Sequence, residues 1–235
     1  MSVELKIPDS GLITISDSRI HEIVDSALPH YNGDGTMLFH GPDHPVAVTN
    51  SFLSDWVICA EHDYVTDIEA GVGATAHHDD EYHLHLDGTR YKTKEERSAA
   101  IAERDLSHFS FTEGQLGLTT GAILATRAGA TCSNLLEKQV VRADLGNTGL
   151  AYRKFLQFFM RFAKEQRNLT GLFTPFNEVK DIQIDILGVY FSQDLRYPFE
   201  TVCPLTLKGL ANLARLKRDD EVTVSSLAGE EFKAA

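Results

Sequence analysis

The chain has 235 residues, 43% of them hydrophobic, and a formal net charge of −12. That is enough apolar material for one sizeable core with an appended subdomain, and so acidic a surface repels phosphate backbones, which argues against general nucleic-acid binding. No apolar run reaches the roughly 18 residues of a membrane span; residues 1–8 lack the basic start and apolar stretch of a signal peptide; and Cys59, Cys132 and Cys203 are far apart and odd in number, as expected of reduced thiols in a cytoplasmic protein.

Taken in chain order, the pattern predicts an all-α protein. Residues 1–16 read as an irregular segment with a short strand near 11–16. Asp17 or Ser18 can cap a helix that runs to about Leu28 and ends at Pro29. Turn residues make 31–35 a loop, and Pro45 suits the first turn of a helix whose Val46, Leu53, Trp56, Val57 and Ala60 share a face. A helix over 64–79 is rich in Ala and Gly, which permits close packing. Thr93 followed by Glu96 is a capping-box signal for a helix through about Leu106. Helices follow over 114–128, 133–144 and 151–169, the last with Phe155, Phe158, Phe159 and Phe162 on one side, then over 175–190 and 206–218. The expected organisation is a helical domain over 17–169, a helical extension over 170–219 packed on it, and a fraying tail over 220–235. Homodimerisation through the apolar helices after residue 150 stays open.

Three separate segments carry metal-ligating side chains. They are His40-Gly-Pro-Asp-His44, the doublet His78-Asp79, and Arg142-Ala-Asp144-Leu-Gly146. Imidazole and carboxylate donors together suit a divalent ion such as Mn, Co, Ni, Fe, Zn or Mg. The spacings are 34 residues from His44 to His78 and 65 from Asp79 to Asp144. His62-Asp63 is a competing pair, but it falls only 18 residues after His44 and opens a helix rather than closing one. All ten histidines lie in the first 108 residues, so the chemistry is expected in the N-terminal half with Asp144 reaching back.

These segments, in this order, resemble the HD-domain superfamily of metal-dependent phosphohydrolases, whose pattern is H…HD…D on a helical bundle. Lys94-Glu-Glu-Arg-Ser-Ala99 is similar to a segment that small members carry after the doublet, and Thr126-Arg127 also fits. The resemblance covers roughly residues 20–165 and implies an HD-type bundle with extra C-terminal helices. It implies one divalent metal on His44, His78, Asp79 and Asp144, and a metal-activated water attacking phosphorus in a small phosphorylated substrate, with a nucleotide as the leading expectation. Departures are Gly41 where Asn is common and Arg142 where an acid precedes Ala-Asp.

Roles around that ion follow. Asp79 is expected to ligate and to steer the attacking water. Asp80 and Glu81 are candidate general bases or ordinary helix-end acids, and His40 is a candidate proton donor to the leaving oxygen or a loop histidine. His77 is a candidate for orienting a ligand. Lys94, Arg97, Arg127 and Arg142 are the candidate phosphate contacts, Arg142 first among them because it shares a helical turn with Asp144. Tyr82, Tyr91, Phe109 and Phe111 can stack on a base or pack in the core. Two-metal relatives, including a di-iron oxygenase branch, place a histidine where this chain has Lys94. That favours one metal and hydrolysis over oxygenation, and a catalytically silent scaffold is the remaining alternative. His83, His85 and His108 are spare imidazoles outside the family register.

Overall fold

The computed structural model describes residues 5–7, 11–13, 17–31, 37–80, 91–171, 174–200 and 202–229. Apart from a two-stranded antiparallel hairpin, β1 (Leu5–Ile7) with β2 (Gly11–Ile13), the described residues are all-α. The expected strand near 11–16 is the second half of that hairpin.

The first six helices form one packed unit. They are α1 (Asp17–Ala27), α2 (Asp43–Ala60), α3 (Ile68–His77), α4 (Lys94–Leu106), α5 (Glu113–Ala125) and α6 (Leu135–Asp144). Local chemistry sets most of their starts. Asp67, Thr93, Thr112 and Asn134 each accept a hydrogen bond from the backbone N–H three residues on, which satisfies an amide the helix itself cannot. Thr112 and Gln115 complete a reciprocal capping box. α3 begins at Ile68 rather than at 64, because Asp67 caps it and the preceding Thr66 carbonyl accepts from the Trp56 indole.

α3 is the axle of this unit. Every residue from Ala70 to His77 is buried, and α1, α2, α4, α5 and α6 all pack on it. A helix can be enclosed on all sides only if its neighbours approach closely, and small side chains permit that. At Gly71 an added Cβ would lie 1.9 Å from the tip of the Phe52 ring, so α2 reaches α3 through a missing side chain. Phe52 is itself fully buried, a placement that contributes about 1.5–3 kcal/mol.

The remaining helices are α7 (Tyr152–Thr170), α8 (Phe176–Phe191), α9 (Pro204–Arg218) and α10 (Glu221–Ala228). They bury a second core of Phe155, Leu156, Phe159, Met160, Phe176, Phe191, Leu213, Leu216 and Val224. Two expectations change here. The apolar packing divides between α6 and α7, not at 169: α7 belongs with the C-terminal helices, because its aromatic face meets them. The expected fraying tail contains a helix that is capped by Asp220, ended by Gly229 at φ 73°, and anchored by buried Val224 and Ala228. α6 is shared, giving Leu136 and Val140 to the first core and Val141 to the second. Its C-terminal end therefore lies at the seam. No described helix is long and apolar enough to cross a membrane.

Candidate metal centre

Each donor is aimed by local structure. His44 sits in the first turn of α2, whose entry is closed by a bond from its own amide to the Gly41 carbonyl at 2.9 Å. His78 caps the end of α3 and donates from Nδ1 to the Thr75 carbonyl at 2.8 Å. That bond puts a proton on Nδ1 and turns Nε2 toward the other three residues, where a cation would take the place of its proton. The Asp79 amide donates to the buried Tyr31 hydroxyl at 3.2 Å, and that hydroxyl donates to the Ala76 carbonyl at 2.9 Å. Asp144 is the last residue of α6 and faces the seam.

These four residues converge. Ligand atoms of His44, His78, Asp79 and Asp144 all lie within 4.8 Å of one another, and no other group of three or more such residues exists among the described residues. The two Nε2 atoms are 3.1 Å apart. His78 Nε2 is 3.3 Å from both Asp79 Oδ2 and Asp144 Oδ1, and His44 Nε2 is 3.5 Å from Asp79 Oδ2. Bonds of about 2.1 Å to a tetrahedral or octahedral ion separate neighbouring ligands by roughly 3.0–3.4 Å, so the donor set fits a divalent cation in both chemistry and spacing. Histidine and carboxylate are also the mixed donors that such ions accept.

The electrostatics describe four ionisable groups forced together. Burial drives His44 down to about 4. Burial also opposes charge on His78, but the Asp79 and Asp144 carboxylates overcome it and raise the group to about 10. Asp79 would be raised by burial, yet Lys94, His78 and His40 hold it well below the usual carboxylate range. Lys94 Nζ contacts Asp79 Oδ1 at 2.5 Å and Glu95 at 3.8 Å.

His40 stands beside the four donors, with Nε2 3.3 Å from Asp79 Oδ2. Its other ring nitrogen donates to Glu165, whose second oxygen accepts from the Phe39 and His40 amides at 2.7 and 2.8 Å. Burial lowers the His40 imidazole, but Asp79 and Glu165 raise it above its ordinary value. Glu165 is fully buried on α7 and was missed in the sequence. The available signal was an acid three residues after Phe162, on an otherwise aromatic stripe.

A cavity of about 340 Å³ opens at the seam beside Asp79, Asp144 and His40. Lys94 and Arg127 line it, and Arg127 is exposed at its edge. Arg142 does not, which corrects its place as the leading phosphate contact. It is buried and pairs bidentately with Asp55 at 2.8 and 2.7 Å, donates to the Leu195 carbonyl at 3.1 Å, and lies 4.2 Å from the Tyr197 ring centre. The reason is helical geometry: residues two apart point to opposite sides, so Asp144 facing the cavity sends Arg142 away. Arg97 is half-buried on α4 and is also not among the lining residues.

Asp80 is corrected too. It is buried with Oδ2 2.5 Å from His77 Nδ1, and His77 Nε2 reaches Ser26 at 3.1 Å. Asp80 therefore supports the packing of α1 on α3 and does not face the cavity. His77 belongs to that same chain of contacts rather than to the donor set. Glu81, Tyr82, His83 and His85 lie outside the described residues. His108 is exposed in a 3-10 turn, and His62 stacks on Phe199 at 3.8 Å, so neither joins the cluster. Phe109 and Phe111 pack into the first core, while the aromatic side chains lining the cavity come from Phe39, α7 and Tyr190 of α8.

Comparison with known protein families finds no match, and no curated protein matches the chain to a significant level.

Proposed function

We propose that this chain is a metal-dependent phosphohydrolase of the HD type, acting on a small phosphate ester. One observation carries the reading. Two imidazoles and two carboxylates from α2, the end of α3 and the end of α6 gather within 4.8 Å, and the two carboxylates line a cavity that Lys94 and Arg127 also line.

His44, His78, Asp79 and Asp144 would hold one divalent ion. When bound, such an ion supplies a Lewis acid for a phosphoryl oxygen and acidifies water near neutral pH. The chain's own residues do the rest. Lys94, braced by Asp79 and Glu95, and Arg127 at the edge orient the phosphoryl group, Lys as a point charge and Arg with paired donors. His40, pinned by Glu165, holds a proton on Nε2 beside Asp79. Water oxygen bonds to phosphorus, the ester P–O bond breaks and the His40 proton goes to the departing oxygen; of the water's two protons one stays on the phosphate and the other restores His40. The free thiols Cys59, Cys132 and Cys203 suit the cytoplasm.

The test is a screen of phosphate esters with Mn, Co, Ni and Mg, run beside His78→Ala. The substitution is expected to abolish stoichiometric metal uptake and to lower turnover at least a hundredfold. A His78→Ala protein that hydrolyses esters normally overturns the assignment.

A further inference from the structure

The cavity has two unlike ends. At one lie the carboxylates of Asp79, Glu95 and Asp144 with His40; the other is a mostly apolar wall from α7 and α8, with the amide of Gln183 in it. Phe155, Phe158, Phe159 and Phe162 form an i, i+3, i+4, i+7 stripe on α7, and Gln183, Ile186, Leu187 and Tyr190 repeat the spacing on α8. Stripes of this kind normally interlock to close a core. Here Phe155, Phe159, Leu187 and Tyr190 do join the second core, yet both stripes also line an open space.

Three rings on the lining remain partly open. Phe39, Phe158 and Phe162 are only half-buried, unlike Phe155 and Phe159. Phe39 meets Phe158 edge to face at 6.0 Å and Phe162 at 5.6 Å. The Phe39 ring also lies 4.7 Å from the His40 ring, so the apolar wall begins where the proton donor stands. Ile186 faces the cavity while remaining 38% exposed, an arrangement that an apolar ligand would cover.

Charge sets the other limit. A divalent ion, Lys94 and Arg127 would bring four positive charges against the three carboxylates of Asp79, Glu95 and Asp144. That surplus of one offsets part of the roughly −1.5 to −2 charge of a phosphate monoester and leaves a polyphosphate much further from balance. The net charge of −12 on the whole chain adds to that penalty.

From the hydrocarbon wall and the small positive surplus, we infer that the substrate is a phosphate monoester of an apolar alcohol, aryl or alkyl, bound with its phosphate at the donor cluster and its organic group between α7 and α8. Cleavage by water releases phosphate and the apolar alcohol. This inference rests on the hydrolase reading for turnover, but not for binding. Besides Tyr190, only Asn147, Thr148 and Gln183 among the lining residues are uncharged polar side chains, so a polar sugar phosphate would strand most of its hydroxyls against hydrocarbon, and nucleoside triphosphates would overfill the charge. Burying the equivalent of about two methylene groups is enough for a tenfold preference.

The experiment compares 1-naphthyl phosphate with ribose 5-phosphate, glycerol phosphate and ATP on the metal-loaded protein, in wild type, Phe162→Ala and the milder Phe162→Leu. Binding of the non-hydrolysable 1-naphthylmethylphosphonate is measured in parallel by calorimetry. We expect kcat/KM for the naphthyl ester to exceed that of the sugar ester at least tenfold. That advantage should collapse in Phe162→Ala and fall partway in Phe162→Leu, with thermal unfolding close to wild type in the latter. Turnover of ribose 5-phosphate or ATP equal to or better than the naphthyl ester overturns the inference and leaves the hydrolase reading intact. If no ester is cleaved with any metal, the hydrolase reading fails. Phosphonate binding then decides: affinity that drops at least tenfold in Phe162→Ala upholds the apolar-ligand assignment, and undetectable or unchanged binding ends it.

Discussion

His40 and Arg142 show how much a single side chain's direction decides. His40 faces Asp79 because Glu165 grips its other nitrogen and its backbone together. Glu165→Gln keeps the shape but removes the charge that holds the imidazole. We expect kcat to fall roughly 10–100-fold with KM and metal content little changed, measured by steady-state kinetics and metal analysis; loss of metal instead would show that Glu165 supports the donors directly. Arg142 makes the opposite case. Its partner Asp55 is buried, so Arg142→Ala leaves an uncompensated carboxylate in the interior. The expected loss is about 3–5 kcal/mol of stability by chemical denaturation. A phosphate-binding arginine would instead give a raised KM and unchanged stability.

At the scale of elements, α3 governs the site because it carries His78 and Asp79 at its exit. Its position depends on Phe52 filling the space over Gly71. Gly71→Ala puts a methyl group into that ring and is expected to destabilise by about 1–3 kcal/mol, seen as a lower urea midpoint at unchanged slope. No loss would mean that α2 and α3 can separate without penalty. α6 governs the other half of the site. Its rotation about its own axis, fixed by Leu136 and Val140 on one core and Val141 on the other, presents Asp144 and hides Arg142. Periodicity in the sequence locates such a helix and its apolar positions, but not which side of it adjoins a cavity that a different helix pair encloses.

Across the whole molecule, the donor cluster ties together α2, α3 and α6 at the seam of two cores. A cation bound there stabilises the folded chain by linkage. At a hundredfold excess over its dissociation constant, the gain is about 2.7 kcal/mol, or roughly 5–10 °C in Tm for a chain of this size. We expect that shift with Mn or Co by differential scanning, reversal by a chelator, and none in His78→Ala. An equal shift in His78→Ala would place the ion elsewhere.

The sequence by itself picked out His44, His78-Asp79 and Asp144, the four residues that converge, through their types and order, and it determined most helices, because caps and apolar spacing are local properties of the chain. It also carried the α7 phenylalanines, though as a packing face. Tertiary structure alone decided that those rings and α8 enclose a cavity, that Glu165 reaches across 125 residues to His40, that Asp80 is taken by His77, and that Arg142 turns away. These outcomes depend on how each helix is rotated and where distant helices meet. Those are set by the sum of many packing contacts, none of which is written in the neighbouring residues.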